Sequence, residues 1–160
     1  MGNLQVRFLE GWAPAMAPGY STTWVPGPTP HMKSQVKCWK VRDKGQLLLT
    51  LMKELEGDAH ISLEGDLRAL SLSTYPGASN QPTDVLKPST VQTDFVVLPL
   101  ESSTSDKIYA ALGGKVPKTV LHVQIEKSGV LQFAAYDYFY PECIFFGIAV
   151  TQRVDRLTRV

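Results

Sequence analysis

Residues Lys118–Val150 read KTVLHVQIEKSGVLQFAAYDYFYPECIFFGIAV, and this stretch decides the fold. Thr119–Glu126 and Val130–Tyr136 are two strand-like runs rich in β-branched and apolar residues. Lys127-Ser128-Gly129 separates them, and Gly supplies the positive φ that a tight hairpin needs. The spacing predicts Val120, His122, Gln124 and Glu126 on one face and Leu121, Val123 and Ile125 on the other. Seven of the fifteen aromatic residues fall between Phe133 and Phe146. After Pro141, Cys143–Val150 reads as a last strand or the start of a helix.

Working outward, the segment Gln46–Leu55 places Leu47, Leu48, Leu51, Met52 and Leu55 on one helical stripe. Gly57-Asp58 closes it. His60–Leu67 alternates as a strand, with Ile61, Leu63 and Leu67 inward and His60, Ser62, Glu64 and Asp66 on the opposite, solvent face. Gly65 is a candidate bulge. Asp94–Leu100 reads as a buried strand that Pro99 ends. Ser103–Leu112 reads as a short helix capped by Thr104 or Ser105, with Ile108, Ala111 and Leu112 inward. Gly113-Gly114 stops it. Strands outnumber helices and hairpin signals outnumber β-α-β alternation. The expected fold is α+β, a mainly antiparallel sheet with two or three helices packed on one face.

Residues 1–32 are expected to form an extended Pro-rich N-terminal arm, and residues 33–160 a single domain. The arm begins with a short strand-like run at residues 1–10. Residues 11–32 then hold five prolines and three glycines, with Trp12, Tyr20 and Trp24 as aromatic beads. Residues 73–93, with three prolines and many hydroxyls, form a long internal loop of the kind that is functional or disordered. The tail from Val150 reads as an amphipathic helix bearing Arg153, Arg156 and Arg159.

The net charge of +1 argues against a global nucleic-acid or acidic-surface partner. Its distribution is uneven. Lys33, Lys37, Lys40, Arg42 and Lys44 face only Asp43, whereas residues 45–112 hold nine acids and four bases. Two cysteines, Cys38 and Cys143, make no disulfide framework and no C-x-x-C pair. The first thirty residues lack a signal-peptide core. The longest apolar run, Cys143–Val150, is too short to span a bilayer. A reducing location, cytoplasm or nucleus, and no membrane association are expected.

No phosphate loop, metal-ligand spacing or nucleophile signature is present. Gly113-Gly114-Lys115 is followed by Val116 and Pro117, where a P-loop needs Ser or Thr. No cofactor and no metal are expected, and no motif resembles a known family. The expected function is a non-enzymatic protein–protein interaction module, adaptor or regulatory in type. Its binding residues are Trp12 and Trp24 of the arm, Lys37 and Lys40 of the basic segment, and Tyr136, Tyr138 and Tyr140. Tyrosines beside Asp137 and Glu142 suit a protein interface better than base stacking. The alternative is a small hydrolase or transferase using His60, Glu64, Asp66 and His122 as acid–base groups on facing strands. A third reading is a nucleic-acid binder through residues 33–44. The terminus Thr158-Arg159-Val160 fits the pattern of a PDZ-domain ligand, which adds a strand and buries the Val160 side chain.

Overall fold

In chain order the elements are β1 (Val6–Leu9), β2 (Cys38–Val41), α1 (Lys44–Leu55), β3 (Ala59–Gly65), β4 (Asp94–Pro99) and α2 (Thr104–Ala111). Then follow β5 (Val120–Lys127), β6 (Val130–Ala135), a 3₁₀ turn (Pro141–Cys143) and β7 (Ile144–Phe146). This computed structural model describes residues 6–9, 38–90 and 92–151. Five strands form one antiparallel sheet in the order β4-β3-β5-β6-β7, and β1 and β2 pair as a separate antiparallel ribbon. The fold is α+β. The arm over residues 11–32 and the tail beyond 151 lie outside the described residues.

Helix α1 forms where its apolar stripe is. Leu47, Leu48, Leu51, Met52 and Leu55 are all buried, each contributing about 1.5–3 kcal/mol through burial. Asp43 caps it, its Oδ1 accepting from Gln46 N–H at 2.8 Å. Gly57 and Asp58, with φ of 85° and 49°, turn the chain away. Ile108 and Leu112, at the second helix, join the same core as Ile61, Leu63, Val123, Ile125 and Phe133. Both helices therefore cover one face of the sheet.

The cap of α2 differs from the expectation. Ser103 is the cap residue, left-handed at φ 68°, and its side chain makes no capping bond. The carboxylate of Glu56, just after α1, accepts from Ser103 N–H at 3.4 Å and Ser105 N–H at 3.3 Å. The first helix thus caps the second across the fold.

The β5–β6 hairpin forms as the spacing predicts. Ser128 and Gly129 have φ of 51° and 74°, the two consecutive positive values of a type I′ turn. Two irregularities re-aim side chains. The register shifts at Glu64/Gly65, so that Gly65 pairs with Val120. Val120 is then fully buried and Leu121 is 39% exposed, against the expected inward Leu121. A Cβ on Gly65 would lie 2.0 Å from the Thr119 carbonyl oxygen, so only glycine fits this bulge. A second shift lies between Ile125 and Glu126 on β5.

The last segment is neither one strand nor one helix. Cys143 ends the 3₁₀ turn, Ile144–Phe146 pairs with β6, and residues 148–151 are helical. The break sits at Gly147, whose N–H donates to Gln132 O at 2.7 Å.

The polar face of β3 is not a solvent face. Ser62 and Glu64 are each 2% exposed, because the loop over residues 73–93 lies across them. Leu86 of that loop is fully buried, and with Val97 and Ala134 it is buried outside the main core. The loop is tied to the sheet by a β-bridge between Ser79 and Val97, by Lys87 main-chain hydrogen bonds with the Gln124 side chain on β5, and by donors from Ser89, Thr90 and Thr93 to Glu64 on β3.

Candidate functional site

The antiparallel register sets the acid–base candidates side by side in pairs. His60 faces Glu126 and Glu64 faces His122 across β3 and β5. His60 Nδ1 lies 2.6 Å from Glu126 Oε1. The His60 side chain is 44% exposed and that of Glu126 only 9%. Glu126 Oε2 also accepts from Gly129 N–H at 2.7 Å, so this carboxylate holds the hairpin turn. His122 Nδ1 accepts from Asp137 N–H at 3.1 Å, and its ring packs on Tyr136 at 5.3 Å. The two histidines are four positions apart along the ladder, roughly 13 Å. Asp66 lies past the bulge and pairs with Arg68 at 2.8–2.9 Å.

Glu64 is the most elaborately bound of these residues. It accepts from Ser89 N–H (2.8 Å), Ser89 Oγ (2.6 Å), Thr90 N–H (3.3 Å) and Thr93 Oγ1 (2.7 Å). Burial pushes its pKa up, but the hydrogen bonds from Ser89 and Thr93 and the nearby His122 outweigh it, and the net shift is downward. A carboxylate held ionised by four donors is poorly suited to take up a proton. It serves to hold residues 89–93 against the sheet.

Cys143 is free and partly buried. Burial, Asp137 and Glu142 push its thiol pKa up, away from a nucleophilic thiolate. Among the described residues no group of three or more His, Cys, Asp or Glu side chains is placed to hold a metal ion. Among them too, no helix is long and apolar enough to cross a membrane.

The three tyrosines are placed differently from one another. Asp137, Tyr138 and Phe139 have φ of 49°, 54° and 62°, a left-handed turn that drives Phe139 into the core against Phe133. Tyr138 lies in the rim of the core, its hydroxyl donating to Val116 O at 3.1 Å. Lys44 Nζ stands 3.4 Å over its ring. Tyr136 is half-buried against His122, and Tyr140 is exposed. Phe145 and Ile148, the latter 81% exposed, are further large apolar groups on the surface. Lys40 is exposed on β2 opposite Arg7. Trp12, Trp24, Lys37 and Val160 lie outside the described residues.

The feature that the sequence reading missed is a cleft at the β4 edge of the sheet. It holds about 830 Å³. Leu67, Leu70, Leu72 and Ala78 line one side, Pro88 and Thr90 another, and Phe95 and Val96 of β4 also border it. Asp94 Oδ2 accepts from Leu67 N–H at 3.0 Å, which joins the 67–80 segment to the strand. None of His60, Glu64, Asp66 or His122 lines this cleft. The only signal for it in the chain was the length of the 73–93 loop. No family model, no curated protein and no solved structure matches this chain.

Proposed function

We propose that the protein is a non-enzymatic protein-binding module, adaptor or regulatory in type, and that the cleft along β4 is its recognition surface. The observation that carries this reading is the cleft's make-up. It is mixed in character: Leu67, Leu70, Leu72, Phe95 and Val96 give it apolar surface, and Arg68, Asp94 and several hydroxyl and amide side chains give it polar surface. Such a surface binds through shape and main-chain hydrogen bonds. Tyr140, Phe145 and Ile148 offer a second exposed apolar set, consistent with a further contact near the aromatic run. A reducing compartment, cytoplasm or nucleus, suits the free thiol of Cys143. The Val160 terminus as a PDZ-type ligand, and Trp12, Trp24 and Lys37 as contacts, rest on the sequence alone.

The test is selection of short linear peptides from a displayed library, repeated against Asn80→Trp. Asn80 is exposed and lines the cleft, so the indole fills the opening without disturbing the core. Enriched peptides are expected to lose at least about tenfold in affinity, or 1.4 kcal/mol, on this variant. Failure to enrich any peptide, or equal binding to both proteins, would refute the cleft as the recognition surface.

One observation favours the hydrolase or transferase reading, the 2.6 Å contact between His60 and Glu126. A carboxylate-oriented imidazole of that kind serves acid–base catalysis when a substrate site adjoins it. Turnover of an ester or phosphoester panel that disappears in His60→Ala would establish that reading in place of the binding one.

A further inference from the structure

Among the described residues strand β4 is an edge of the sheet, and no strand pairs along most of its outer side. The single bridge on that side joins Val97 and Ser79 by two hydrogen bonds. Val97 N–H donates to Ser79 O at 2.7 Å, and Ser79 N–H donates to Val97 O at 3.0 Å. Both main-chain groups of Val97 therefore point outward. In an antiparallel ladder the next residue with the same orientation lies two positions along, which is Phe95. A continuing ladder would place Gln81 opposite Phe95. It does not continue, because Gln81 N–H donates instead to Ser79 Oγ at 3.1 Å and the chain turns away. Among the described residues no outer hydrogen bond forms at the N–H and C=O of Phe95. Phe95 lines the cleft, as do Leu67, Leu70 and Leu72.

Resting on the reading of this cleft as a protein-binding surface, we propose that its occupant is an extended peptide that adds as a strand to β4. It takes the place Gln81 leaves, pairs with the N–H and C=O of Phe95, and seats an apolar side chain against Leu67, Leu70 and Leu72. A donor and an acceptor presented together by one residue match a strand and not a helix, whose interior main-chain groups are already bonded. The cleft lies between the 67–80 and 88–93 segments. A volume of about 830 Å³ matches a short peptide segment with its side chains.

The probe is the set of peptides enriched from the linear library, each resynthesised with backbone N-methylation at one position at a time. Strand addition predicts an alternating pattern, since only every second peptide N–H faces β4. Methylation there weakens binding about tenfold or more, and at the intervening positions it has little effect. Amide exchange at Phe95 is expected to slow on binding. Cleft-dependent binding without alternation and without protection of Phe95 overturns strand addition and leaves the protein-binding reading standing. Absence of any binding lost in Asn80→Trp overturns both. Concentration-dependent protection of Phe95 in the protein alone, with dimer formation, shows a second copy as occupant and also overturns the proposal.

Discussion

At Glu64 the structure turns a residue that reads as surface into an anchor. Its four donors all come from residues 89–93, and Pro88, Thr90 and Thr93 of the same segment line the cleft. Glu64→Gln replaces an acceptor-only group by one that presents an N–H₂ to those donors. The expected cost is about 2 kcal/mol of stability near neutral pH, read from urea unfolding. The pH dependence has a definite sign. The folded-state pKa lies below the ordinary 4.5, so the contribution is complete above that value. It is lost as pH falls through the lowered pKa. Wild type and variant are therefore expected to converge in stability below pH 4.5, and a gap that stays constant into acid would contradict the role given to the ionised carboxylate. The alternation His60-Ile61-Ser62-Leu63-Glu64 correctly showed that β3 has two unlike faces. It carried no information on what covers the polar one, because the covering residues lie some 25 positions along the chain.

Among the elements, α1 was the most legible, since helix periodicity and burial are the same pattern seen twice. Its start was less so. Asp43 precedes the apolar stripe and caps the helix, while Lys44 and Gly45 extend it beyond Gln46. Asp43→Ala is expected to lower stability by about 1 kcal/mol, with faster amide exchange confined to the first turn. An unchanged thermal midpoint and exchange pattern would show that the cap is dispensable. Helix α2 shows the limit of local reasoning. Serine and threonine stand where a cap is expected, yet the acceptor is Glu56. Local sequence names residues able to cap but not the long-range group that reaches the N–H first. The bulge at Gly65 has the same character. Its glycine marks an irregularity, but the one-residue shift that exposes Leu121 depends on the Thr119 carbonyl opposite.

On the scale of the whole molecule there are two layers of unequal size on the two faces of the sheet. The helices and the main core lie on one, with Tyr75 and Ala78 packed against that core, and the later part of the 73–93 loop with Leu86 lies on the other. Such an arrangement opens in parts, because the outer part of the loop is held by Leu86 and by side-chain hydrogen bonds rather than by a strand or helix of its own. Leu86→Ala is expected to cost about 2–4 kcal/mol locally and to speed exchange at Ser79 and Val97, whose bonds join loop to sheet. Protection in α1 and β5 is expected to survive. Equal loss of protection throughout would show that loop and core unfold as one unit. The same layering positions the cleft, which exists only because residues 67–80 and 88–93 stand on either side of β4.

Short-range physics set what the sequence determined by itself: a hairpin at Lys127-Ser128-Gly129, the apolar stripe of α1, the alternation of β3 and β5, and hence the α+β class. Each is a regularity within one turn or one strand pair, where period and turn chemistry act directly. The tertiary structure decided what lies on top of what. It buried Glu64, aimed Val120 inward and Leu121 outward, drove Phe139 inward while leaving Tyr140 outside, and left Phe95 open beside Ser79. Those outcomes turn on contacts between residues distant in the chain, where a hydrogen bond or a carbonyl's position selects among arrangements that local pattern leaves equally favourable.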